Sequence, residues 1–151
     1  MGFPLGRVML TGLLAGLLPA CAGDRPANLG AREGGLAPCP SSPNCVSSQA
    51  DDDRHRIEPL AFTGDPDAAF TRLKGVLAAR GDTTIIEETP GYLRVELQTT
   101  FFVDDGEFLL DRARQVIQVR SASRVGYSDL GKNRRRMEEI RRAFSPAGRV
   151  P

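Results

Sequence analysis

The stretch from Tyr92 to Thr100 alternates cleanly, with Leu93, Val95 and Leu97 on one side and Arg94, Glu96 and Gln98 on the other. A period of two is the signature of a strand with one apolar face, so the chain must build a sheet and cover one side of it. Its neighbours agree. Thr83 to Glu88 is rich in β-branched residues, and Thr89-Pro90-Gly91 is a turn leading into the alternating run. Val116 to Ser121 reads as a further strand with Ile117 and Val119 on one face, and Arg56 to Phe62 as a short edge strand limited by Pro59. Asp104-Asp105-Gly106 is a turn signal between Phe101-Phe102-Val103 and Phe108-Leu109-Leu110. One helix is framed by Asp65 as cap, Pro66 at the first position and Gly81 past the end, with Phe70, Leu73 and Leu77 as its buried stripe and Val76 beside them. A last helix is expected from about Leu130 to Phe144, capped by Ser128 or Asp129, with Leu130, Met137, Ile140 and Phe144 turned inward. The order β-α-β-β-β-β-α predicts an α+β two-layer sandwich, an antiparallel sheet of four to five strands with two helices on one face.

The N-terminal segment stands apart from this pattern. Met1 to Arg7 carries one cation, and Val8 to Leu18 is an apolar run broken only by Thr11, Gly12 and Gly16. It is too short for a membrane span, which needs roughly 20 residues, and suits a signal peptide. Leu18-Pro19-Ala20-Cys21 resembles the lipobox of bacterial lipoproteins. That resemblance implies cleavage after residue 20, a diacylglyceryl thioether on Cys21, and a partner in the membrane itself. Ala22 in place of Asp implies the outer membrane, facing the periplasm. Residues 21–36, rich in Gly, Ala, Arg and Pro, read as a flexible tether, residues 37–145 as the globular domain and 146–151 as a disordered tail. An envelope address argues against nucleic acid as a partner, and no cofactor or metal is expected.

With Cys21 lipidated, Cys39 and Cys45 are the remaining thiols. In an oxidising compartment two cysteines this close are expected to form a disulfide. A metal site using them with His55 lacks the paired spacing of zinc centres, and the spacing is not that of a Cys-x-x-Cys redox motif. Charge is divided along the chain: Asp51 to Asp111 holds 14 acidic and 6 basic residues, and Arg112 to Arg142 holds 10 basic and 3 acidic. The densest polar cluster begins at Arg120. Arg120, Arg124 and Arg134 offer forked donors, Ser121, Ser123 and Ser128 offer hydroxyls, and Asn133 lies on the same stretch at a helix start. Together they are the parts of a site for an anionic small molecule or envelope polymer. The alternative is internal pairing of the arginines with Asp104, Asp105 or Glu107. Calcium binding by Asp104, Asp105, Glu107 and Asp111 finds no EF-hand loop to support it. A hydrolase would have to draw on Ser121, Ser123 or Ser128 with His55, and no Gly-x-Ser-x-Gly is present. The basic last helix could also meet anionic lipid headgroups.

Three separated segments carry a family resemblance: Cys39-Pro-Ser-Ser-Pro-Asn-Cys-Val-Ser-Ser48, Phe102-Val-Asp-Asp-Gly-Glu-Phe108 and the run from Arg120 to Arg136. In order, they resemble the signature of the family called domain of unknown function 1499. The resemblance implies a domain from about Leu36 to Phe144 and brings no established activity. Gly106 stands where the family pattern suggests an apolar residue, which implies a different hairpin geometry here. The expectation from all of this is a non-enzymatic envelope lipoprotein whose Arg/Ser loop binds an anion or a protein partner. The rivals are a serine hydrolase using His55 and a purely structural or assembly protein.

Overall fold

A computed structural model describes residues 23–145. The predicted signal peptide, Cys21 and the tail at 146–151 lie outside the described residues. The elements are β1 (Cys45–Ser47), β2 (Leu60–Ala61), α1 (Pro66–Ala78), β3 (Thr83–Thr89), β4 (Tyr92–Gln98), β5 (Val103–Asp111), β6 (Val116–Ser123) and α2 (Lys132–Phe144). All strands pair antiparallel in the order β1-β6-β5-β4-β3, and β2 shares the outer edge of β6 with β1. The fold is the expected α+β sandwich, with six strands where four to five were predicted.

The helices cover one face. Ala69, Leu73 and Leu77 of α1 and Met137, Ile140 and Phe144 of α2 are buried with Leu93, Val95, Leu97, Phe108, Ile117 and Val119 from the sheet. Asp65 caps α1 as expected, its carboxylate accepting the Ala68 amide at 2.7 Å. Phe70 and Val76 are partly buried against the same cluster.

Asp104-Asp105-Gly106 is not a turn. These residues lie inside β5, with Asp104 opposite Leu97, Asp105 opposite Glu96 and Gly106 opposite Val95. The turn comes earlier, where the Thr99 amide donates to the Phe102 carbonyl at 2.9 Å and the Thr99 hydroxyl accepts the Phe102 amide at 2.9 Å. The glycine serves packing. A Cβ at Gly106 would stand 2.8 Å from Val95 Cγ2 and 3.0 Å from Leu97 Cδ1, so those two side chains fill the space a side chain would need. Phe101 and Phe102 are accordingly loop residues, and β1, absent from the predicted order, is a three-residue strand closing the far edge of the sheet.

The start of α2 is also corrected. Leu130, expected in the buried stripe, is 85% exposed and left-handed with φ 53°, followed by Gly131 at φ 74°. This two-residue reversal turns the chain into the helix two residues later, at Lys132. The N-cap is Gly131, neither Ser128 nor Asp129, and Asp129 accepts the Asn133 amide at 2.7 Å and the Gly131 amide at 3.0 Å from the preceding loop. Asn133, Arg136, Met137, Ile140 and Phe144 face inward.

Cys39 and Cys45 form a disulfide with Cα atoms 5.7 Å apart. It staples the loop preceding β1 and contributes about 2 kcal/mol by the chain-entropy estimate for so small a ring. The segment read as a tether, residues 24–36, lies in contact with the sheet face opposite the helices. The Gly30 amide donates to Glu107 Oε1 at 2.8 Å, and Arg25 reaches Glu87 at 3.7 Å.

Candidate functional site

The face opposite the helices collects the charges that the two halves of the sequence carry separately. Strand period two places Tyr92, Arg94 and Glu96 of β4, Asp105 and Glu107 of β5, and Arg120 and Ala122 of β6 on this side. Glu107 is fully buried and accepts from the Tyr92 hydroxyl at 2.8 Å, Arg120 Nη1 at 3.1 Å and the Gly30 amide. Burial and the Glu107 carboxylate both push the Tyr92 phenol well above its usual range. Arg124 donates from Nε to Asp105 Oδ2 and from Nη2 to Asp105 Oδ1, each at 2.8 Å, and from Nη2 to Glu96 Oε1 at 2.5 Å. Asp105, then Glu96, thereby raise its pKa further against the opposing effect of burial. Arg94 bonds Glu87 at 3.3 Å and lies 3.7 Å from Asp105. Two buried nitrogens in this layer, Arg94 Nη1 and Arg120 Nε, have no hydrogen-bond partner among the described residues.

On the helix side a second polar group holds the Arg/Ser loop to α2. Asn133 is fully buried and its side chain bonds four other residues. Its amide donates to the Asn44 carbonyl, the Ser123 hydroxyl and Asp129, and its oxygen accepts from the Ser121 hydroxyl. Arg136, an arginine outside the predicted set, pairs with buried Asp104 at 2.7 Å and with Asp82 at 3.2 Å. Arg134 donates both terminal nitrogens to the Arg54 and Arg56 carbonyls at 2.7 and 2.6 Å.

The seven residues expected to form an anion site are therefore distributed. Ser121, Ser123 and Asn133 meet on the helix side. Arg120 and Arg124 lie across the sheet from them, and Arg134 points to the 54–56 turn. Ser128 accepts the Leu130 amide at 3.2 Å. Arg120 and Arg124 pair with Glu107 and Asp105, the pairing weighed above as the alternative, whereas Arg134 bonds backbone carbonyls. His55 is likewise committed. Its Nδ1 bonds the Asp52 carboxylate at 2.9 Å and its Nε2 the Ser42 carbonyl at 3.0 Å, an arrangement that depresses the Asp52 pKa. Among the described residues no hydrogen bond links His55 to Ser121, Ser123 or Ser128. Asp105 and Glu107 share one face while Asp104 takes the other, and no group of three metal-ligating side chains is found among the described residues.

Open surface is found instead at the end of the sheet where β4 turns into β5 and β6 runs into α2. A cleft of about 430 Å³ lies between the Thr99–Phe102 and Val125–Lys132 loops. Phe101, Phe102, Val125 and Leu130 give it a mainly apolar lining, and Ser128 and Lys132 add polar groups. Phe101 and Phe102 are 70% and 50% exposed and meet edge to face, their centroids 6.5 Å apart. Tyr127 on the neighbouring loop is 71% exposed. A second cleft of about 410 Å³ beside the disulfide is walled by Gln49, Asp51 and Asp52 and gathers no exposed aromatic residue. The sequence carried a trace of the first site, two adjacent phenylalanines directly after the alternation of β4 ends, but their continuity with Val103 made them look like strand.

A two-layer α+β domain with a salt-bridged outer sheet face and a loop cleft at one end defines the class of the protein. The chain belongs to the DUF1499 family of proteins of unknown function, whose model matches residues 35–144. No curated protein and no solved structure matches it.

Proposed function

We propose that this is a lipid-anchored protein of the cell envelope, held through Cys21, whose domain is a non-enzymatic binding or accessory module working through the cleft between the Thr99–Phe102 and Val125–Lys132 loops. The observation that carries the choice of surface is the exposure of Phe101, Phe102 and Leu130 around one cleft, since large apolar side chains gathered at one place mark an interaction site. The anion-binding part of the reading narrows with the geometry. Arg120, Arg124 and Arg134 are engaged internally, so an anionic group on a ligand would meet Lys132 and Ser128 at the rim of the cleft. The apolar run before Cys21 supports the anchor, and the Cys39–Cys45 disulfide fits an oxidising compartment. Among the described residues no helix is long and apolar enough to cross a membrane. Both ring nitrogens of His55 are engaged away from the serines, so His55 is not placed to act as their base.

Mass spectrometry of the mature protein from the membrane fraction tests the anchor. The expected N-terminal residue is a diacylglyceryl-modified Cys21, and an unmodified thiol at that position overturns the reading.

A further inference from the structure

We infer that the end of the domain carrying Phe101, Phe102, Tyr127 and Leu130 is its membrane-facing end, seated on the lipid surface that holds Cys21. The inference rests on the anchor reading above and adds an orientation and a partner to it. Among the described residues five large apolar side chains are exposed, and all but Ile86 belong to the two loops at this end.

The course of the chain points the same way. Gly23, the first described residue, sits against the Val125 loop: a Cβ there would lie 2.6 Å from Val125 Cγ1 and 3.0 Å from Arg124 Cβ. Cys21 is two residues earlier and can reach no more than about 7 Å from Gly23. The residues that follow run along the outer sheet face, where Arg25 lies near Glu87 and the Gly30 amide donates to Glu107. A lipid on Cys21 therefore brings the bilayer to the Val125 loop and the side chains around it.

Charge agrees with this placement. The acids lining the cleft are already engaged, Asp104 with Arg136 and Asp129 with the Gly131 and Asn133 amides. Lys132 is left facing a surface of anionic headgroups. Aromatic rings suit this depth, being apolar in body and tolerant of the headgroup region. The opposite end of the sheet differs. The turn from Arg112 to Gln115 carries Arg112 paired with Asp67 and Arg114 paired with Asp111, and the nine residues of β5 set it roughly 30 Å from Phe102.

The protein contains no tryptophan, so a single one reports without background. The mature, lipid-modified protein with Phe101→Trp, Tyr127→Trp or Arg114→Trp is reconstituted into vesicles of phosphatidylethanolamine and phosphatidylglycerol bearing brominated acyl chains. Emission from Phe101→Trp and Tyr127→Trp is expected to shift to the blue and to fall about twofold, as for rings at the interface, while Arg114→Trp does neither. Protein that floats with the vesicles but shows no quenching at positions 101 and 127 overturns the orientation and leaves the anchor standing. A blue shift without quenching places those side chains against protein, a second copy included, and also overturns it. Protein that fails to float with the vesicles overturns the anchor reading and the orientation with it.

Discussion

On the helix side of β4 the chain places Leu93, Val95 and Leu97; one residue out of step, on the other side, it places Tyr92 and Arg94, which are buried almost as completely. The two faces exclude water by different means. The first is a close-packed apolar layer beneath α1 and α2. The second is a set of ion pairs beneath residues 24–36, in which Glu107 alone accepts three hydrogen bonds. Apolar packing tolerates small changes of volume, whereas a buried ion pair loses its balance when one member is removed. Burial alone is thus a poor guide to how a position in this protein responds to substitution.

The largest effect that separates the faces is expected at Glu107. Glu107→Ala leaves Arg120, whose Nε already has no partner among the described residues, as an uncompensated buried cation, and deprives Tyr92 and Gly30 of their acceptor. A cost of about 3–5 kcal/mol is expected in urea unfolding. Replacing both partners, with Glu107→Leu and Arg120→Met, is expected to recover most of that loss, because an apolar pair of similar volume needs no compensating charge. A single substitution that costs less than about 1 kcal/mol would mean that the outer face is held by its covering segment and not by its charges.

The apolar face has its own sensitive point. Gly106→Val pushes a side chain into Val95 and Leu97, and an overpacking cost of about 1–3 kcal/mol is expected by the same unfolding measurement. Combining it with Leu97→Ala opens space beside the new methyl groups, so the pair should cost less than the sum of its parts. Strict additivity would show that the strain is relieved elsewhere, and that the two faces are less separate than the register implies.

Much of this arrangement could be read from the chain. The alternation in β4 fixes which residues share a face, and the Asp65-Pro66 start and the Leu73 and Leu77 spacing place α1. What escaped depended on contacts between distant residues. Asp104-Asp105-Gly106 has the composition of a turn, but Arg136 and Arg124 neutralise the two acids and Val95 and Leu97 occupy the space above the glycine, so the segment is stable as strand. The internal pairing weighed as the alternative is observed for Arg120 with Glu107 and Arg124 with Asp105, since those acids are two apart and face one way, while Asp104, one step off, pairs on the other side with an arginine of α2. Leu130 matched a helical stripe in spacing, yet its left-handed backbone exposes it, and with Phe101 and Phe102 it makes the cleft. A site made by two loops more than 20 residues apart has no local pattern to announce it.

The smallest separable effect concerns acid. On the helix side Asp82 is partly exposed and accepts from Arg80 Nε at 3.0 Å, the Thr83 hydroxyl at 3.0 Å and Arg136 Nε at 3.2 Å. Burial pushes its pKa up, but the hydrogen bonds from Arg80 and Thr83 and the charges of Arg80 and Arg136 outweigh this and hold it below the ordinary value of 3.8. A folded-state pKa below the unfolded one stabilises the protein above the unfolded value and loses that contribution as the pH falls through the folded one. Asp82→Asn should therefore cost about 0.5–1 kcal/mol at neutral pH, a partly exposed pair being screened by solvent. Below the ordinary value of 3.8 the difference between the two proteins should shrink as the native carboxylate is protonated. Thermal unfolding followed by circular dichroism across the acid range measures that difference directly. A gap that persists unchanged would show that Asp82 acts through shape and neutral hydrogen bonds, and that charge in this fold matters chiefly on the outer face.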